Sequence, residues 1–456
     1  MSVYLPQEMA YAYSENKKLI FYPRVQKNLR ELYKRKLVTE QEAVQVIKTG
    51  DNVVLPLGCG EPPALLEAMV KRHHELEDVK VHQMLPIREA SYLKPQMTRS
   101  FRHVSWFTSG PNRQAVNEGR ADFMPGHFHE YPLLFQEYIN VDVFMGTVSP
   151  MDERGYFSFG LSVDYTSTAA AQAKVIILEV NPNMPRTRGE SLIHISEVDY
   201  IVENNNPIPE IPIPALTEND RIIGGYIAEL VEDGATVQLG IGSMPNAVAE
   251  ALQNKKNLGI HTEMVTDGMV DLVECGAVTG IKKTLHQGKI IGSFAAGTRR
   301  LYDFMNDNPL VEMYPVSYVN DPYVIGQNYK MVSINATLEI DLLGQCASET
   351  IGFRQYSATG GQTDFARGCL RSPGGKGVIA LHSTAKKGTV SKIVPILQPG
   401  AVVSCSKNDV DHVVTEFGVA KLRGKTARER ALALIGIAHP DFRSELRAAA
   451  QRMDLI

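Results

Sequence analysis

The sequence predicts an α/β protein made of two similar, open, mostly parallel α/β domains. Three observations carry this. The chain has 456 residues, too many for one ordinary core and enough for two. Short β-branched runs alternate with helical patterns, as in parallel sheets covered by helices on both faces. One strand–glycine turn–helix pattern also occurs twice. Residues 50–69 read GDNVVLPLGCGEPPALLEAM and residues 232–251 read EDGATVQLGIGSMPNAVAEA. A shift of 182 residues lays Leu57-Gly58-x-Gly60-x-x-Pro63 on Leu239-Gly240-x-Gly242-x-x-Pro245. That period is far longer than a solenoid repeat and fits a duplicated domain.

In chain order, the first 35 residues read as helical and are expected to form an extra arm. After the first glycine unit, VKVHQMLP (79–86), VDVFMG (141–146) and KVIILEV (174–180) read as strands. Between the halves, ENNNPIPEIPIP (203–214) holds four prolines, which neither donate ladder hydrogen bonds nor continue a helix. This is a semi-extended connector. It places the boundary near 205–216, with an N-terminal domain at 1–205 and a C-terminal one at 206–456. Beyond the second glycine unit, GIHTEMVTDGM (259–269) reads as a strand end feeding a loop and helix. KGVIALH (376–382) and AVVSCS (401–406) are further strand candidates.

Composition excludes several function classes. Hydrophobic residues make up 44% and charged residues 21%, with a net charge of −4, so nothing basic asks for nucleic acid. Lys34-Arg35-Lys36 is too short for more than a solvated helix face. The opening residues lack a basic stretch followed by an apolar run, so no signal peptide is expected. No stretch approaches 18 apolar residues, so no membrane span is expected. Five widely spaced cysteines without a C-x-x-C suit thiols of a reducing cytoplasm better than disulfides or a zinc site. His73-His74 and His127-x-His129 are the close histidine pairs; they read as packing or surface histidines rather than metal ligands.

The glycine turns carry the chemistry. A glycine turn at a helix start offers free backbone N–H groups and the positive end of the helix dipole, suited to phosphates and oxyanions. A dinucleotide fold is the obvious reading, and Glu263 sits 23 residues after Gly240, near where a ribose-binding acid belongs. The third glycine is missing in both copies, however, where Pro62-Pro63 and Met244-Pro245 stand. VKVHQMLP, the counterpart of the Glu263 strand, has no acid, so a structural role common to both domains does not explain Glu263. A third glycine segment, SATGGQTDF (357–365), reads either as a turn with Asp364 capping a helix or as a close backbone approach to a ligand. Ile334-Asn335-Ala336 and the run from Glu339 to Gln345 form a further polar patch among apolar residues.

Seven stretches in the same order resemble the acetyl-CoA hydrolase/transferase family of class I CoA-transferases: VSPMDERGYFSFG (148–160), VNPNMPRTRG (180–189), VQLGIGSMPNAV (237–248), GIHTEMVTDGM, INATLEIDLLGQ (334–345), SATGGQTDF and SKIVPIL (391–397). They look most like its 4-hydroxybutyrate and butyryl-CoA:acetate branches. The resemblance implies Glu263 as the catalytic glutamate and Gln238, Leu239, Gly240, Ile241 and Gly242 as the loop beside the thioester and CoA. It further implies Gly361, next to Gly360, as a backbone donor beside the reacting carbonyl, Ser357 close to CoA, and Lys386 on CoA's phosphates. The implied reaction is ping-pong and covalent. Glu263 attacks an acyl-CoA to give a mixed anhydride, CoA returns to form a glutamyl-CoA thioester, and an acceptor carboxylate reverses the sequence. CoA is then a substrate, no separate cofactor or metal is implied, and a cytoplasmic homo-oligomer is expected.

Two rivals remain at this point. A hydrolase would use the same glutamate and let water resolve the thioester. A non-catalytic CoA or nucleotide sensor would tolerate loss of Glu263. A serine or cysteine hydrolase fits less well, since there is no G-x-S-x-G and Cys275 and Cys346 lack an evident histidine. The acyl pocket is expected between the domains, with Gly58 to Glu61, His103 to Arg113 and Gly126 to His129 as candidate walls. Arg102, Arg113, Arg120 or Arg154 turned inward would favour a dicarboxylate such as succinate or itaconate, whereas hydrophobic walls would favour butyrate.

Overall fold

The structure is a computed structural model that describes residues 29–240 and 242–456. The expected N-terminal arm lies mostly outside the described residues; its last part, Leu29–Lys36, is a helix.

The strands gather into two large sheets. The first uses β1 (Asn52–Val54), β2 (Val79–Met84), β3 (Phe101–Phe107), β4 (Ala121–Phe123), β5 (Val143–Val148), β6 (Val175–Val180) and β7 (Tyr200–Glu203). The second is built on β8 (Thr236–Leu239), β9 (Gly259–His261), β10 (Ile290–Gly292), β11 (Val311–Met313), β12 (Met331–Ala336), β13 (Lys376–Ala380) and β14 (His412–Thr415). The spatial orders are β7-β6-β5-β1-β2-β3-β4 and β14-β13-β12-β8-β9-β10-β11. These are the same order, and every pairing within these two sets is parallel. The glycine turns follow β1 and β8, the corresponding first strands, as the 182-residue shift requires. Helix Pro63–Lys71 follows the first turn and helix Ser243–Leu252 the second.

The second sheet is wider by two strands. An antiparallel strand, Gly418–Lys421, closes one edge against β14. At the other edge, Arg188–Gly189 from the first half of the chain pairs parallel with β11. Val163, Asp164 and Leu161 also bond to Ser293 and Ala295 through their backbones. One apolar cluster therefore runs through both halves, with the Phe128 and Phe294 rings 6.3 Å apart.

Residues 204–216 carry no helix or strand, and the connector lies along the junction. Pro209 O accepts from Tyr302 Oη at 2.6 Å, and Ile211 N donates to Gly297 O at 2.9 Å. AVVSCS (401–406) departs from expectation. It forms no ladder strand, only an isolated bridge from Cys405 to Cys346, and Val402 and Val403 point into solvent. An apolar β-branched run with no sheet partner is not a strand. No helix among the described residues is long and apolar enough to cross a membrane.

Candidate active site

Glu263 stands two residues beyond the end of β9, on the carboxyl side of a parallel sheet, where open α/β folds place ligands. Its backbone is fixed from both sides. Ser293 N and Phe294 N each donate to Glu263 O at 3.0 Å, and Thr262 N donates to Ile291 O at 2.9 Å. The buried His261 ring bonds to Val319 O at 2.7 Å, which ties the end of β9 to the segment leading into Asn320. The side chain is therefore aimed by a rigid strand end.

Two groups hold the carboxylate. Asn320 Nδ2 donates to Glu263 Oε2 at 2.8 Å, and the backbone of Gly361 abuts the same carboxylate and favours its charged form. Gly361 caps helix Gln362–Arg371, so the positive end of a ten-residue helix faces Glu263. Glycine matters there through space rather than through dihedral angle. Its φ of −91° suits any residue, yet a Cβ would lie 1.9 Å from Glu263 Oε2 and 2.3 Å from Asn320 Nδ2. Gly360, by contrast, has φ +53° and is free to make the turn for that reason.

Burial pushes the Glu263 carboxyl up to about 7; the Asn320 bond opposes this, the charge of Asp364 adds to it, Gly361 opposes it, and Asp164 adds to it. The residue is still part-exposed, so the carboxylate is both reachable and poorly solvated. Such a group is a more basic nucleophile than an ordinary glutamate.

The remaining expected residues fall into three positions. Gln238 and Leu239 end β8, next to β12 at the point where the strand order reverses. Gln238 Oε1 accepts from Ile334 N and Asn335 Nδ2, both at 3.2 Å, and Leu239 O accepts from Thr262. Gly240 and Gly242 (φ +115°) open the helix that follows; Ile241 lies outside the described residues. Ser357 sits at the start of the Gly360-Gly361 loop, its hydroxyl bonded to Ser348 O at 3.1 Å. Lys386 (φ +48°) is on the exposed turn between Thr384–Ala385 and Val390–Ser391.

The N-terminal half reaches this loop directly. Thr108 Oγ1 donates to Ser357 O at 2.8 Å. Helix Gly110–Asn117 grips the hairpin Thr350–Gln355: Arg113 Nε donates to Tyr356 O at 2.8 Å with its guanidinium 3.9 Å above that ring. Asn117 exchanges two bonds with Gln355. Among the described residues, Arg113 is the one of the four named arginines whose side chain bonds across to the other half. Arg102 pairs with Asp122 and Arg120 with Glu118. The His127-Phe128-His129 loop also arrives here, and His129 Nδ1 meets Asp364 Oδ1 at 2.8 Å. Cavities of about 930 and 800 Å³ lie within the N-terminal half, and neither is lined by Glu263.

Sequence reasoning missed Asn320. It sits after the short helix Val316–Val319 with no motif around it. His127 and His129 were read as packing residues or pocket walls, and Asp364 as a helix cap. Asp364 does lie in the first turn of its helix, but it is 1% exposed and faces the histidines.

Residues 23–212 match the acetyl-CoA hydrolase/transferase N-terminal domain and residues 297–450 the C-terminal domain. The chain is 54% identical to a succinyl-CoA:cyclohexane-1-carboxylate CoA transferase of Geobacter metallireducens, over 93% of this chain and 97% of that one. It is 52% identical to a 4-hydroxybutyrate coenzyme A transferase of Clostridium kluyveri, over 91% and 97%. A solved 4-hydroxybutyrate CoA-transferase from Porphyromonas gingivalis, 43% identical, superposes with a TM-score of 0.81 over 93% of this chain and 99% of that one. The chain belongs to the acetyl-CoA hydrolase/transferase family, as an enzyme of the CoA-transferase type.

Proposed function

We propose that this enzyme moves CoA from a short-chain acyl-CoA, of the acetyl, butyryl or 4-hydroxybutyryl type, to a small carboxylate through a thioester on Glu263. One observation carries the reading: a poorly solvated carboxylate at a strand end, held by Asn320 and faced by a helix N-terminus whose glycine leaves room for it. The Glu263 carboxylate attacks the thioester carbonyl, and collapse of the tetrahedral oxyanion expels CoA thiolate and leaves a mixed anhydride. The thiolate then attacks the Glu263 carbonyl, expelling the first carboxylate and leaving glutamyl-CoA. The acceptor carboxylate runs both steps backwards. Thioester and carboxylate exchange without a net proton, so no acid–base pair is needed.

Each tetrahedral stage needs N–H donors, and the loops at 238–242 and 357–361 supply backbone for them. Losing one such donor costs about 2.7–4 kcal/mol in comparable sites. Lys386 is assigned to the CoA phosphates. CoA acts as a substrate, with no resident cofactor or metal, and the enzyme works as a cytoplasmic homo-oligomer whose two domains divide at 205–206. A carboxyl near pKa 7 is protonated below that pH, so turnover falls as pH drops through 7.

The test is incubation with butyryl-CoA and no acceptor. Intact mass should rise by one CoA, one equivalent of butyrate should appear per site, and added acetate should discharge the adduct. Glu263→Gln should form none. Transfer by Glu263→Gln at the parent rate would refute the assignment, and continuous CoA release without any carboxylate would assign a hydrolase instead.

A further inference from the structure

Beyond Glu263 and the two groups that hold it, a cluster of titratable side chains lies where the N-terminal loop 126–130 meets helix Gln362–Arg371. Asp364, 1% exposed, takes His129 Nδ1 at 2.8 Å and the His129 N–H at 3.3 Å. His127 Nδ1 stands 3.8 Å from the same carboxylate, its ring stacked on that of His129 with centroids 6.0 Å apart. Asp364 is three residues along from Gly361, whose Cα directly abuts the Glu263 carboxylate. The charge of Asp364 disfavours the ionised form of the poorly solvated Glu263 carboxyl. A carboxylate nucleophile needs the opposite.

We propose that His129, as an imidazolium supplied by the N-terminal half, offsets the charge of Asp364 and thereby lowers the pH at which Glu263 ionises. His129 is a positioning residue that acts through Asp364 and does not touch the substrate. The proposal rests on the reading of Glu263 as the nucleophile. It also gives the junction a chemical purpose: the charge state of a C-terminal residue is set by a loop from the other half.

The surrounding groups are consistent. Around Glu263 stand the donors Asn320 and Gly361 and the acids Asp364 and Asp164. Facing His129 are Asp364, Glu130 at 3.9 Å and Asp321. Burial works against a charged His129, and the Asp364 hydrogen bond and charge outweigh it, so its pKa lies above the ordinary histidine range. The Tyr131 hydroxyl, which donates to Trp106 O, is kept protonated by burial, with the charges of Glu349, Asp364 and Glu263 adding to the effect. Burial also raises the Glu349 carboxyl. Asp364 is thus the acid in this group that a histidine pairs at hydrogen-bond distance.

The test compares His129→Gln, Asp364→Asn and the double variant with the parent. Two readouts are used: the acid limb of kcat/KM, and the pH titration of the protonated-carboxyl infrared band that Glu263→Gln removes. In His129→Gln both should move to higher pH, by on the order of one unit. In Asp364→Asn both should move lower, and the double variant should match Asp364→Asn. A structural role would lower kcat with neither midpoint moving, and would overturn the proposal. So would an upward shift that persists in the double variant. If Glu263→Gln keeps transfer activity while the infrared midpoint still moves in His129→Gln, the electrostatic link stands and the nucleophile reading is the part that fails.

Discussion

Replacing Gly361 by alanine tests the geometry of the site with a single methyl group. The added Cβ would sit 1.9 Å from Glu263 Oε2, whereas ordinary contact begins at 3.4 Å, a deficit of 1.5 Å. The backbone of Glu263 does not retreat, because its carbonyl is held by Ser293 N and Phe294 N. Asn320 Nδ2 would also lie too close to the new methyl, at 2.3 Å. The carboxylate must therefore swing away from both of its donors. A misplacement of about 1 Å costs roughly a hundredfold, so kcat for CoA transfer should fall by about two orders of magnitude or more. Folding should survive, since φ −91° and ψ 4° suit alanine. Single-turnover formation of the glutamyl-CoA adduct, followed by mass with Tm measured alongside, provides the assay. A Gly361→Ala enzyme with parental kcat would refute the steric argument, and with it the placement of the Gly361 N–H against the nucleophile.

Three further outcomes are expected. Glu263→Gln should raise Tm more at pH 8 than at pH 5. A carboxyl raised from 4.5 to about 7 keeps its proton when folded and loses it when unfolded across that window, so the parent loses stability as pH rises from 4.5 to 7, by about 1–3 kcal/mol. An equal gain at both pH values would contradict this. Asn117→Ala removes both bonds to the Gln355 backbone and should speed proteolysis of the hairpin at 350–355 while lowering kcat severalfold; unchanged proteolysis would show the clasp to be unimportant. Lys386→Ala should raise KM for acyl-CoA about tenfold with kcat unchanged, and a normal KM would remove it from the CoA site.

Much of the fold was legible because it is written locally. The glycine turns announce themselves through adjacent residues, the connector through its four prolines, and Glu263 through a charge in an apolar strand pattern. Burial and alternation act over a few residues, so a linear reading captures them. The AVVSCS segment shows the limit of the same reasoning, since a β-branched run becomes a strand only if a neighbour pairs with it. The sequence by itself determined the two-domain α/β class, the repeated unit and an acid where the strand pattern asks for an apolar residue. The tertiary structure alone decided the identical strand orders, the strand Arg188–Gly189 crossing to the other sheet, and the partners of the site. Asn320 meets Glu263 across 57 residues, His129 meets Asp364 across 235, and Arg113 meets Tyr356 across 243. No local propensity encodes contacts at such separations. They exist because one apolar cluster runs through both halves and brings the ends of distant loops to the same junction.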